Sequence, residues 1–523
     1  MKFLRYGPQA ILIEFAVQAD AAALERSRRL MQVLEGSPLA RLRELVPSFC
    51  SLLCEFQPGT ESNFQESWRQ LELAVATSDK DTLPLAPSRL MELPITYGGP
   101  DLDRVASHCG LSATEVVERH RSGRYRVHCL GFAPGFPYLG GLDPRLNTPR
   151  LPTPRPRVAP GSVGIGGEHT GIYSLPTSGG WNLIGSTSVR LFRPEASEIP
   201  QMFHLRPGDE VRFVEPTDSC AVASDSEVFQ LAGSGKSLPC LRVLHPGIRT
   251  TIQDMGRPGW RRYGVPPGGA MDPLAAAEAN LLVGNPPDAP VLELCLQGQQ
   301  FQVLNGAWIA IGGPSTGGTL RRSEAQWMPP GSLLQFPHPF EGTWAYLGIE
   351  GGVDSPRILG SASANHRAGM GRELAVGDVI ERRASNATSS WAPIARRLLA
   401  DLAPRDYPHP PVVRVWPGPQ WNEFSDRARQ AFFANTWKVS AQSDRAGYRL
   451  EGPQVAAPSH SLISEPVLVG SIQIPPSGQP IITLPDGPTI GGYHKLGMID
   501  PEDLIWVVQT SPGRSIRFEP VSV

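Results

Sequence analysis

The chain has 523 residues, with 48 Lys and Arg against 50 Asp and Glu, for a formal charge of −2. A binder of phosphate backbones carries a basic excess or stripe, so this balance argues against a nucleic-acid partner. No apolar run reaches the roughly 18 residues that mark a bilayer span. At about 100 to 200 residues per domain the length implies three or four units with sizeable cores. The 54 Gly and 54 Pro, spread among apolar runs, suit many short strands joined by turns.

Residues 1–85 read as a small α/β module of the order β-α-β-α. A strand is predicted over Ala10–Val17 and a helix over Ala21–Leu34. A second strand runs through SFCSLLCEF, 48–56, and a second helix over Glu61–Thr77, where Phe64, Trp68, Leu71 and Val75 recur at helical spacing. The start, MKFLRYGPQAILIEFAV, lacks a signal-peptide core because Gly7, Pro8 and Glu14 interrupt it. Seven cysteines form an odd set with no CxxC pair, which points to neither a disulfide framework nor a zinc site and makes the cytoplasm the expected location.

After the Pro-punctuated stretch DTLPLAPSRLMELP the pattern turns to strands over 86–216, with one helical insert predicted at Asp101–Arg121. Residues 217–239, rich in Ser and Ala, read as a linker. The AGSGKS stretch at 232–237 is similar to the end of a phosphate-binding loop, but Gln230 stands where such a loop needs its first Gly. Residues 240–523 form a second β-rich region, read as one or two lobes. RPGDEVRF at 206–213, AVGDVIER at 375–382 and SPGRSIRF at 511–518 share one cadence, a Gly turn followed by an alternating strand, which suggests three related β modules.

Chemistry concentrates in HCLGFAPGFPYLGGLDPRL, 128–146, and in the Gly-rich stretch after it. Phe132, Phe136 and Tyr138 on a Gly/Pro scaffold either wall a pocket or fold back on the core. Arg150, Arg155 and Arg157 lie on a Pro-stiffened segment that could hold guanidinium groups ready for carboxylate or phosphate. Glycines 161, 164, 166 and 167 would let backbone amides approach a ligand, and they serve turns equally well.

The ordered motifs HCLGFAPGFPYLGGLDPRL, PRPRVAPGSVGIGGEHTGIY and GGWNLIG resemble allophanate hydrolase subunit 1, the family of the Kip inhibitor and the B-type component of 5-oxoprolinase. HPGIRTTIQDMGRPGWRRYGVPPGGAMDPLAAAEANLLVGN, GIEGGVDSPRILGS, VWPGPQWNEF, VSAQSDRAGYRLEGP and LISEPVLVGSIQIPPSGQPIITLPDG resemble allophanate hydrolase subunit 2, the family of the Kip antagonist and the C-type component of 5-oxoprolinase. The resemblance implies a mainly β protein with α+β elements. Each half would hold cyclophilin-like β-barrel domains, and the two halves would associate within the chain.

The resemblance also implies an ATP-dependent opening of the 5-oxoproline lactam, with Mg2+ and a third 5-oxoprolinase subunit as partner. The alternatives are a urea-type carboxyl transfer, with biotin only on a partner, and a regulator that binds a histidine kinase. The candidate catalytic groups are His128, Asp254 and Lys495. The candidate substrate or nucleotide contacts are Phe132, Phe136, Tyr138, Arg155, Arg157, Ser162, Arg257, Ser443, Asp444, Arg445, Glu465 and Gln473. Asp254 and Arg257 could equally brace their loop, and Asp272 and Asn280 are expected to cap or pack a helix beginning near Pro273. No metal ligands are expected. The chain departs from the family pattern at Gly268, Ala362, Ala446, Gly487 and His494, where Ser, Arg, Met, Arg and Pro are usual; several of these changes remove donors from the second half.

Overall fold

The computed structural model describes residues 1–17, 21–79, 85, 87–216, 237–384 and 405–521. Most of the predicted linker, Cys220 and all but the last residue of the AGSGKS stretch lie outside the described residues. The final three linker positions belong to a long strand, Ser237–Pro246.

The N-terminal module holds two more strands than its sequence pattern suggests. A hairpin of Lys2–Tyr6 and Ala10–Glu14 turns at Gly7 (φ 71°), and Leu42–Pro47 pairs with Ser51–Phe56. The order in space is Lys2–Tyr6, Ala10–Glu14, Ser51–Phe56, Leu42–Pro47. Both extra strands carry charged residues that mask the apolar alternation, and both are edges. Helices Ala21–Gly36 and Glu61–Ser78 accompany the sheet; the second starts in a capping box between Thr60 and Asn63. Ile11, Ile13, Leu52 and Cys54 share a core with helix residues Leu30, Leu34 and Leu71. The alternate residues Tyr6, Leu12 and Leu53 pack instead with the distant Leu468 and Met498. Strand alternation thus lets one small sheet serve two cores.

The fold is mainly β, with two nearly closed eight-stranded barrels. The first runs Leu90–Pro94, Glu210–Val214, Tyr125–Leu130, Pro137–Gly140, His169–Ile172, Ser162–Gly166, Asn182–Ser186, Thr96–Tyr97. Its two edge strands are separated in sequence by Ile95 alone, so the edges are drawn together at one corner. The second runs Ser515–Ile516, Trp437–Val439, Gly447–Glu451, Ile481–Thr483, Ser471–Ile474, His494–Ile499, Val413–Pro417, Phe518–Pro520. There Arg517 alone separates the edges. Each barrel contains one parallel pair, Glu210–Val214 with Leu90–Pro94 and Phe518–Pro520 with Val413–Pro417. Between the barrels in sequence lie a four-stranded and a five-stranded sheet around their own core of Val243, Leu294, Phe301, Ile309 and Leu347.

The three repeated turns have one geometry. Gly208, Gly377 and Gly513 sit at φ 89°, 91° and 88°, and each donates its N–H to a valine carbonyl, of Val127, Val243 and Val439 respectively. A positive φ is readily adopted only by Gly, which explains the shared residue. The predicted single insert at 101–121 is two helices, Leu102–Cys109 and Ala113–Ser122, because Gly110 at φ 64° caps the first and Ser112 opens the second.

The halves meet through buried polar contacts. Arg261 donates from its backbone N and its Nε to Glu44, at 2.6 and 2.8 Å, and its Nη2 pairs with Glu55. Tyr6 Oη and Ser471 Oγ share a 2.7 Å hydrogen bond. Leu130 and Tyr263 form a parallel bridge, and Gly135 N donates to Tyr263 O at 2.8 Å.

Removing Arg261 would leave the buried Glu44 carboxylate unpaired and Glu55 with only Arg43 at 3.4 Å, a loss of about 3–5 kcal/mol for a buried charge left unpaired. Arg261→Met should therefore lower the denaturant midpoint by that equivalent, whereas a change below about 1 kcal/mol would mark the triad as solvated. His120 is fully buried between Tyr97 Oη and Thr170 Oγ1 (2.8 and 2.9 Å), and burial lowers its pKa to about 3. The unfolded ring takes a proton below its usual value, so this contribution is complete above pH ~6.5 and drains away as pH falls toward the folded value. The stability difference between wild type and His120→Gln should shrink steadily from pH 7 to 4; a difference independent of pH would refute the burial account.

Candidate functional site

The loop at 131–136 is shaped by two short-range bonds. Gly131 N donates to Phe136 O at 3.1 Å, and Ala133 N donates back to Gly131 O at 2.7 Å. Phe132, between them, has φ 66°. This is a γ-turn around a positive-φ aromatic residue, a rare conformation that stores strain. Its effect is to present the Phe132 ring, while Phe136, 2% exposed, packs behind it edge-on to Tyr138, Tyr173 and Trp181 at 5.0, 5.3 and 5.6 Å. The aromatic stretch therefore combines both readings left open by its sequence: Phe132 and Tyr138 wall a cleft, and Phe136 belongs to the core.

The cleft has a volume of ≈ 1180 Å³ and is built from both halves. The first half supplies Phe132, Tyr138, Arg150 and Arg157; the second supplies Arg367, Asp444, Arg449, Gln473, Asp486 and Tyr493. Both lining carboxylates are already paired. Arg367 Nη2 donates to Asp444 at 2.7 Å, and Arg445 donates to Asp486 at 2.7 and 3.1 Å. Arg150 lies 5.8 Å from the Trp181 ring centroid. The lining thus carries four guanidinium groups, one of them spent on Asp444, and two carboxylates, so its charge is positive. Gln473 Nε2 donates to Thr483 Oγ1 at 2.7 Å, fixing an amide beside Gly491 on the same wall.

The other sequence-selected residues stand behind or beside this wall. Lys495 is completely buried: its Nζ donates to Glu465 Oε1 at 2.7 Å and to the carbonyl of Tyr493 at 3.2 Å. Gln420 closes the set, donating to Glu465 Oε1 at 2.9 Å and accepting from Lys495 N at 3.1 Å. The pair thus supports the backbone of a cleft residue. Arg445 bridges Glu293 (2.5 Å), Asp486 and the carbonyl of Gly269 (2.7 Å). Desolvation raises the Glu293 carboxyl above its ordinary range, with Arg445 opposing that shift.

Asp254 accepts from Ser361 Oγ, Ser363 Oγ, Ala362 N and Gly256 N at 2.5 to 2.8 Å. Arg257 donates to the carbonyls of Ile358 and Ser363, so both residues brace the loop at 354–364 and neither lines the cleft. Ser443 bonds the backbone of Arg449, with Arg449 N donating to its hydroxyl at 3.0 Å. Asp272 caps helix Pro273–Leu282 through Ala275 N, and Asn280 holds the carbonyl of Ala289 at 2.7 Å.

In the first half, Arg155 pairs with Asp101 at 2.7 Å, and Arg157 lines the cleft. Ser162 lies within strand Ser162–Gly166, opposite Ser186. His128, 8% exposed, packs 5.7 Å from the Phe49 ring and 6.3 Å from that of His169. A Cβ at Gly140 would overlap its Nε2, so glycine is needed opposite the ring. Burial, then His128 and Arg150, lower the His169 pKa to about 4.

Two departures have visible consequences. A Cβ at Gly268 would come 3.2 Å from Arg257 Nη1, a buried nitrogen without a hydrogen-bond partner; a serine there would place a hydroxyl beside it. A Cβ at Gly487 would stand 2.6 Å from the carbonyl oxygen of Ala446, so the chain has closed over the space of a larger side chain. Arg367 and Tyr493 are cleft residues outside the quoted motifs, and Arg449 stands within VSAQSDRAGYRLEGP without being singled out there, since nothing local shows that it faces a cleft. Asp486 lies within the LPDG motif, but nothing local shows that it faces a cleft.

Residues 1–202 match the family model for the carboxyltransferase domain, subdomain C and D, and residues 263–520 match that for subdomain A and B. The first part is 44% identical to the 5-oxoprolinase B-type component of Escherichia coli O157:H7 over 212 residues, covering 40% of this chain and 93% of that protein. The second is 33% identical to the 5-oxoprolinase C-type component of Escherichia coli K12 over 294 residues, covering 54% of this chain and 92% of that protein. Urea amidolyase of Lachancea kluyveri is 32% identical over 347 residues, covering 57% of this chain but 18% of that protein. The crystal structure of TTHA0988 aligns with a TM-score of 0.85 at 33% identity, covering 98% of this chain and 99% of that one. With both halves matched along nearly the full length of their relatives, the chain belongs to the carboxyltransferase-domain family of the B-type and C-type 5-oxoprolinase components, the two types being joined in one polypeptide.

Proposed function

We propose that this chain is the fused B-type and C-type component of an ATP-dependent 5-oxoprolinase that works with a third subunit. The observation that carries the reading is the cationic cleft, which takes walls from the B-type half and the C-type half alike. 5-Oxoproline brings a carboxylate and a lactam, and ATP brings phosphates with their Mg2+, which binds chiefly to phosphate oxygens and water. Arg150, Arg157 and Arg449 would balance these charges. Phe132, Tyr138 and Tyr493 would flank the flat ring, and Gln473 would hydrogen-bond an amide edge.

In this reading the lactam oxygen attacks the γ-phosphorus, the bond to ADP breaks and the ring N–H gives its proton to solvent, leaving an O-phosphorylated imidate. Its ring carbon is then electrophilic. Addition of one water there and cleavage of the ring C–N bond, with the nitrogen taking up protons, give an acyl phosphate, and a second water releases its phosphate to leave glutamate. The chain's part is positioning and charge balance, with water attack assigned to the third subunit. Lys495, Glu465, Asp254, Arg257, Arg445 and His128 act as positioning residues that hold the walls. A carboxyl transfer from carboxybiotin would use the same anion site, but the chain spans a small part of the urea amidolyase it resembles.

Glutamate release from 5-oxoproline and ATP should be absent with the chain alone and appear with the third subunit; turnover by the chain alone would overturn the division of labour. Arg157→Ala should lower kcat/KM by roughly 10- to 100-fold, the value of about 1.5–3 kcal/mol for a charge-assisted bond. An unchanged kcat/KM would remove Arg157 from the site. Phe132→Gly relieves the γ-turn but gives up the ring's contacts with Phe136 and Tyr173, so it should cost well under the loss of about 3–5 kcal/mol for a truncated core ring while raising KM. A loss of about 3–5 kcal/mol with KM unchanged would instead make Phe132 a core ring.

A further inference from the structure

On the barrel wall beside the cleft, three side chains from three separate segments converge. Glu423 ends the turn Trp421–Glu423, His460 lies in the loop at 452–464, and His494 opens strand His494–Ile499. His460 Nε2 is 3.1 Å from Glu423 Oε2 and 3.3 Å from His494 Nε2, and His494 Nε2 is 3.9 Å from the same Glu423 oxygen. The two rings stand nearly perpendicular, at 86°.

Protons satisfy this triangle poorly. The three atoms meet through a single nitrogen of His460, which can carry one hydrogen. If that hydrogen points to Glu423, the His494 nitrogen receives at best a bent share of it. If His460 accepts from His494 instead, its lone pair faces a carboxylate oxygen. A cation satisfies all three lone pairs together. Around a tetrahedral ion bonded at about 2.0–2.1 Å, neighbouring ligand atoms stand roughly 3.3–3.4 Å apart; two of the three separations here are close to that, and the third, 3.9 Å, would close by a small side-chain movement. Two imidazoles and a carboxylate are ligands that suit zinc and its neighbours better than magnesium or calcium. Lys495, the residue after His494, is already neutralised by Glu465 at 2.7 Å.

We propose that Glu423, His460 and His494 form a three-ligand site for one divalent transition-metal ion of the zinc type, with water completing its coordination. Leu462 and Ser464, two and four residues after His460, line the cleft, as does Tyr493, the neighbour of His494. A bound ion would therefore clip the loop at 452–464 to the strand beside Tyr493 and fix that part of the cleft wall. The inference rests on the triangle of ligand atoms and not on the lactam reading.

The test is titration of the tag-free, chelator-treated chain with Co2+, followed by visible ligand-field absorption, and with Zn2+ by calorimetry. One ion per chain should bind at micromolar or tighter affinity, and His460→Ala and Glu423→Gln should each weaken it at least tenfold. His460 has a side chain 57% exposed, so His460→Ala should keep the metal-free unfolding midpoint while losing the rise that Zn2+ gives the wild type. No binding below millimolar Zn2+, or binding unchanged in both variants, would overturn the site.

Discussion

The cleft depends on one close backbone approach. A Cβ on Gly264 would overlap the carbonyl oxygen of Ala133, so only a glycine lets the second half settle against the γ-turn loop of the first. Gly135 N then bonds Tyr263 O at 2.8 Å, and Ile490 packs within the first half's aromatic core. In the same segment, Arg261 is held by Glu44 and Glu55 of the N-terminal module. The first barrel and the small α/β sheet are thus both tied to one short stretch, 261–264. The walls of the cleft follow from that docking: Phe132 and Tyr138 on one side, Arg367, Arg449 and Tyr493 on the other.

Around the docking seam the molecule separates charges that hold structure from charges that face solvent in the cleft. Arg445, Arg257 and Lys495 are each nearly or wholly buried and each anchored to carboxylates or carbonyls. A buried unpaired cation would be costly, so their partners are part of the same local design. Arg150, Arg157 and Arg449 are exposed, and they supply the field of the cleft. A positive, partly enclosed surface with aromatic walls suits a small anion that also carries a flat ring.

Much of the local structure is legible in the sequence. Helix Glu61–Ser78 follows its apolar spacing, and the aromatic loop stands out because Gly and Pro exclude regular structure while three rings demand burial or a ligand. The strands Lys2–Tyr6 and Leu42–Pro47 are hidden because their charges break the period of two. Barrel closure is beyond local pattern altogether, since it pairs Leu90–Pro94 with Glu210–Val214 across more than a hundred residues. The same limit governs the site. Phe132, Tyr138, Arg157, Asp444 and Gln473 stand in motifs and do line the cleft. Lys495, Glu465 and Arg445 stand in equally suggestive motifs but lie behind it, because sequence names a polar residue without saying which face of its strand is buried.

The central claim is that one ligand site is shared by both halves. Hydrogen exchange of the full chain, with and without 5-oxoproline and a non-hydrolysable ATP analogue, tests it most directly. The account predicts ligand-induced protection in 131–138 and, in the same sample, in 442–449 and 490–493. Protection confined to one half, or located away from these segments, would contradict a shared cleft.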